Sequence, residues 1–109
     1  MEMIVTTGNE IQGRPVAQYL GNASGIVVRS ASIPQAIAGG LGKFIGGNVE
    51  TYAKLCAQAR QDAFARMVSD ASQQKADAIL AFRYDATEFS PGVTEVLAYG
   101  TAVKLTKVD

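Results

Sequence analysis

The sequence predicts an α+β fold, a two-layer sandwich of one long helix on an antiparallel sheet. Three observations carry this expectation. Short β-prone runs near the start are punctuated by glycine and proline, an unbroken helical pattern runs from Asn48 to about Gln74, and Pro91-Gly92 separates two further apolar runs at the end.

Met3 to Thr6 is a β-prone run that stops at Gly8-Asn9, and Gly13-Arg14-Pro15 marks a second turn, because proline fixes its own φ and withholds a donor. From Val16 to Ser30 the residues again favour strand. Gly21-Asn22-Ala23-Ser24-Gly25 interrupts them as either a bulge in one bent strand or a hairpin turn. Ile33 to Gly47 mixes glycines with apolar residues, which reads as a short helix or a loop.

Asn48 suits a helix N-cap and Glu50 the positive end of the helix dipole. Along the helix Val49, Tyr52, Ala53, Cys56, Ala59, Ala63, Phe64, Met67 and Ala71 recur at spacings of three and four, so this face is expected to dock on the sheet. Arg60 falls inside that stripe, where a guanidinium needs an acceptor or a route to water. Ala78 to Phe89 and Val93 to Lys107 then read as an antiparallel hairpin around a Pro-Gly turn.

The chain has 109 residues, suited to a single domain over 1–109, and 48% of them are apolar, enough to form a core. Ten basic and ten acidic residues cancel, which leaves no long-range field to draw the protein onto nucleic acid. No run reaches the roughly 20 apolar residues of a membrane span. A lone cysteine and a start without a secretory leader point to the cytoplasm.

Gly46-Gly47 followed by Tyr52 and Arg60, Ala76-Asp77-Ala78-Ile79 at the penultimate strand and Gly100-Thr101-Ala102-Val103 in the last form one pattern. Tyr19-Leu20-Gly21 with Ser24-Gly25 extends it. Over nearly the whole chain the pattern resembles the YbjQ-like family, which is labelled heavy-metal-binding. The resemblance implies a two-layer α/β fold assembled into ring-shaped homopentamers.

The residues supply little chemistry of their own. Zinc and copper sites draw on three or four clustered Cys and His, whereas this chain has no histidine and only Cys56. No metal ligand set, catalytic residue or cofactor is therefore assigned, and stoichiometric zinc or copper is not expected. Cys56, on the apolar stripe, is expected to be buried and unreactive. The carboxylates Asp70, Asp77, Asp85, Glu88 and Glu95 show no EF-hand spacing. Gly42-Lys43 is followed by Phe44, so the glycine-rich segment fails the phosphate-loop pattern.

Tyr52, Arg60 and Asp85 are the candidate ligand-binding residues, with a structural ion pair or a snorkelling arginine as the alternative. The reading is a cytoplasmic homo-oligomer, five-membered by resemblance, that binds an unknown ligand or serves a structural role. Two alternatives stand beside it: a metal-ion binder, and an enzyme with a carboxylate and arginine site at a subunit boundary. Oligomerisation has its own argument. Alternation in the last strand puts Val93, Leu97, Tyr99, Val103 and Leu105 on one face and Val96, Ala98, Gly100 and Ala102 on the other. One helix covers only one of these faces.

Overall fold

The computed structural model describes residues 2–29, 47–90 and 93–107, with 47–52 and 89 by backbone alone. Within it β1 (Ile4–Val5), β2 (Val16–Arg29), α1 (Gly47–Gln73), β3 (Ala78–Ser90) and β4 (Val93–Leu105) follow one another. The strands form one sheet in the order β1-β3-β4-β2, with α1 packed on it in two layers. The glycine-rich segment and the Pro91-Gly92 turn lie outside the described residues.

Two points sharpen the expected architecture. The sheet is mixed, because β1 runs parallel to β3 with Ile4 opposite Ala78, while β3, β4 and β2 are antiparallel. The interruption at Gly21 is a bulge inside one strand, since β2 stays paired with β4 from Val16 to Arg29 across register shifts at Val16/Gln18 and Tyr19/Gly21.

The inner core lies between α1 and the sheet. Ala59, Ala63, Met67 and Ala71, four apart on the helix, meet Ala23 and Val27 of β2 and Val96, Ala98 and Ala102 of β4. Small residues dominate because the helix sits very close to the strands. A Cβ on Gly25 would lie 2.2 Å from the Ala63 carbonyl oxygen and 2.5 Å from the Met67 nitrogen, so only glycine admits the helix at this point. Met67 is the largest side chain fully buried there, and its burial contributes about 2 kcal/mol. A smaller outer core joins Ala78, Leu80, Val103 and Leu105 to Ile11 and Val16, so the turn region before β2 covers one end of the face that the helix leaves bare.

Side chains of α1, and of Gln74 just past its end, also close the edge of β2. Gln74 Nε2 donates to the Asn22 carbonyl at 2.9 Å, the Ser24 amide donates to Asp70 Oδ2 at 2.9 Å, and Arg66 Nη1 donates to the Ile26 carbonyl at 2.7 Å. Arg29 Nη2 completes the series with Asp62 Oδ2 at 2.8 Å. Four residues of helix advance about 6 Å and two residues of strand about 6.6 Å, so positions 66, 70 and 74 keep pace with the alternate residues 26, 24 and 22 of β2.

The opposite edge differs. The Ser24 amide points away from β4, so pair alternation makes Arg83 and Asp85 the β3 residues that bond β4 and turns the backbone of Tyr84 and Ala86 outward. Among the described residues those outward groups have no backbone partner, because β1 pairs β3 only at Ala78 and Ile79, with added bonds from Thr6 and Gly8 at Phe82 and Ala81.

The helix corrects one sequence expectation. Its first buried side chain among the described residues is Ala59, and Ala53, Lys54, Cys56, Ala57 and Gln58 are exposed. Cys56 is therefore open rather than buried. The physical cause is length. Asp62 already meets Arg29 at the end of β2, so the N-terminal part of this helix, about 40 Å long, runs past the strand that would cover it.

Candidate functional site

The region around Arg60 is built by a bulge in β3. Leu80 pairs with Thr101 and Arg83 with Tyr99, so Ala81 and Phe82 together oppose Gly100, and Ala81 takes a left-handed φ of 55°. The extra residue inverts the alternation. Phe82 and Tyr84 are thereby turned toward the helix, where Phe64 meets Phe82 edge to face at 5.4 Å and Phe82 meets Tyr84 at 4.9 Å. Tyr84 then donates its hydroxyl proton to the Arg60 carbonyl at 3.3 Å.

Arg60 is exposed, which resolves the cost of a guanidinium on an apolar stripe. The Tyr52 side chain lies outside the described residues. Asp85 follows Tyr84 and pairs with Leu97, so it projects from the outer face of the sheet, away from α1. The structure therefore brings Arg60 to Tyr84 and, within one chain, does not bring it to Asp85. Sequence reasoning missed Tyr84, and the residue that re-aims it is an alanine in a conformation usually left to glycine.

The carboxylates nearest the helix are already engaged. Asp62 accepts from Arg29 and from Gln58 Nε2, Asp70 from the Ser24 amide, and Asp77 Oδ2 from the Leu105 amide at 2.9 Å. Among the described residues no three His, Cys, Asp or Glu side chains gather as a metal would require, and no buried side-chain polar atom lacks a partner. A cleft of about 400 Å³ opens at the C-terminal end of α1 between Met3, Val68 and Ala76, with Glu2, Ser72, Lys75 and Asp77 also lining it. Its lining holds no nucleophile paired with a base.

The outer face carries several exposed apolar side chains among the described residues. Tyr19 is 70% exposed, Val28 54%, Ile26 45% and Tyr99 39%. Ile26 pairs with Leu97 and Ser24 with Tyr99, so Ile26, Val28, Leu97 and Tyr99 neighbour one another, while Tyr19, opposite Val103, stands apart from them. No helix among the described residues is long and apolar enough to cross a membrane.

Comparison with known proteins agrees with the motif pattern. The YbjQ family model, described as "Putative heavy-metal-binding", matches residues 3–106. A UPF0145 protein of Legionella pneumophila strain Corby is 47% identical over 103 residues, 94% of this chain and 98% of that protein. Another from Paraburkholderia phymatum is 49% identical over 100 residues, 92% of this chain and 90% of its own length. A third, from Burkholderia ambifaria, is 48% identical over 103 residues and covers 94% and 84%. With the match running from before β1 to beyond β4, the chain belongs to the YbjQ family of UPF0145 proteins.

Proposed function

We propose that this chain is one subunit of a cytoplasmic homo-oligomer, a closed ring of five in keeping with the family resemblance, which serves as a binding or structural module. The observation that carries the reading is the apolar patch of exposed Ile26, Val28 and Tyr99 around the half-buried Leu97 on the outer face, while among the described residues α1 covers only the inner one. Burial of such a patch contributes about 25 cal/mol per Å² before the cost of association, and neighbouring copies are the cover always at hand. Cyclic closure leaves no copy with an unpaired interface. The open edge of β3 adds surface for the same contact.

Size exclusion with light scattering is the test. An assembly of five chains is expected, and a stable monomer of 11.5 kDa at micromolar concentration refutes the reading. Ala86→Pro probes the edge. The Ala86 amide points away from β4, so proline spares the hairpin while blocking an added strand, and a smaller particle with an intact fold is expected.

A second reading concerns the ligand. Arg60 lies on α1, on the inner side of the sheet, and Asp85 on the outer face, so a site combining Tyr52 and Arg60 with Asp85 needs two copies. Its support is that neither Arg60 nor Asp85 has a side-chain partner among the described residues. Arg60→Glu should weaken the assembly and Arg60→Glu with Asp85→Arg should restore it. An assembly indifferent to both variants refutes the pairing.

A further inference from the structure

We infer that this protein holds no thiophilic metal ion, alone or shared between copies, and that the heavy-metal description of its family does not transfer to this chain. The first ground is the donor inventory, which is complete for the whole sequence: no histidine and one cysteine. Zinc sites use three or four nitrogen or sulfur ligands, with copper(I) favouring thiolate and thioether. The sequence has three methionines, of which Met67, a thioether on the same helix as Cys56, is fully buried in the core and Met3 is half-buried against it, too few to complete a site with one thiolate.

Sharing between copies does not repair the deficit. In a ring of five, thiolates at about 2.3 Å from an ion on the axis would sit about 2.7 Å from one another, well inside sulfur–sulfur contact. Cys56 also projects from the exposed start of α1, and among the described residues no three candidate ligand groups gather there.

The carboxylates beside the helix do not substitute for it. Asp70 and Asp77 accept from the backbone amides of Ser24 and Leu105, and Asp62 holds Arg29. Recruiting Asp70 or Asp77 to an ion would strip a strand amide of its acceptor, and recruiting Asp62 would release the guanidinium at the end of β2.

The test uses the full chain purified without a tag, incubated separately with zinc(II), copper(I) and cadmium(II), then dialysed against a weak chelator. Elemental analysis should find metal at background, and the melting temperature should not move, because a ligand that binds only the folded state must raise it. Retention of one ion per chain, or of one per five chains, overturns the inference. Cys56→Ser identifies the fault in that event. Metal lost with the thiol means a shared thiolate site, and metal kept means an oxygen site, either of which contradicts the proposal. The variant replaces an exposed side chain, so its fold is expected to be intact.

Discussion

Gly25→Ala separates two physical effects of opposite sign. On backbone propensity alone, alanine for glycine inside a strand is favourable by about 0.5–1 kcal/mol. The structure sets against this a Cβ placed 2.2 Å from the Ala63 carbonyl oxygen and 2.5 Å from the Met67 nitrogen, both main-chain atoms of α1. Ordinary contact begins near 3.4 Å, so the helix must withdraw by roughly 1 Å. A gap of that size forfeits about a quarter to a half of the dispersion attraction at the contact. The loss falls on Ala59, Ala63, Met67 and Ala71 together, because a helix moves as a rod. Overpacking costs about 1–3 kcal/mol, and the rigid main-chain obstacle puts this case at about 3 kcal/mol. That is a large share of a typical 5–15 kcal/mol stability. Urea unfolding should show the midpoint falling by about 1.5 M with an unchanged slope. A midpoint that stays or rises would show that α1 does not rest on Gly25 and would refute the account of the inner core.

Gly13→Ala is the control, since nothing lies within 4 Å of its Cβ but its φ is +82°, and a loss of about 1 kcal/mol from backbone strain alone is expected in the same urea assay. Ala81→Gly should stabilise by about 0.5 kcal/mol, because relief of the left-handed alanine outweighs the added freedom of the unfolded chain, and a lower midpoint would refute the bulge geometry. Asp70→Ala removes the acceptor of the Ser24 amide and should cost about 1 kcal/mol, read by thermal or urea unfolding. Cys56 should label stoichiometrically with a thiol reagent in the native protein, and a thiol that reacts only after denaturation would mean that another copy covers the start of α1.

Much of this fold was legible because its signals are local. The helix from Asn48 to about Gln74 emerges as Gly47–Gln73, the hairpin spans Ala78–Ser90 and Val93–Leu105, and the two faces read off β4 are those that the cores occupy. What sequence could not supply were relations between elements. The apolar stripe on α1 predicts a docked face along its whole length, but where docking starts depends on β2 ending at Arg29, a fact about another segment. Cys56 was misread for that reason.

Simple alternation along β3 does not locate Asp85 in this fold. Counting by twos from Leu80, which belongs to the outer core, would turn Asp85 toward the helix. The bulge at Ala81 adds one residue and inverts every later position, so Tyr84 takes the helix side in its place. A glycine or asparagine at 81 would have signalled the left-handed residue. Alanine gives no such warning.

The row of helix side chains along β2 gives partial opening a meaning distinct from complete unfolding. While α1 is docked, the outward groups of Asn22, Ser24 and Ile26 are occupied by Gln74, Asp70 and Arg66, and no foreign strand can add there. Lifting the helix releases those three partners in one movement and lays bare an edge 14 residues long that still pairs with β4. The hazardous species is then a chain whose sheet is intact and whose helix is loose, reached by a local fluctuation at lower cost than global denaturation. The rate of fibrillar association should accordingly follow the frequency of helix release rather than the melting temperature.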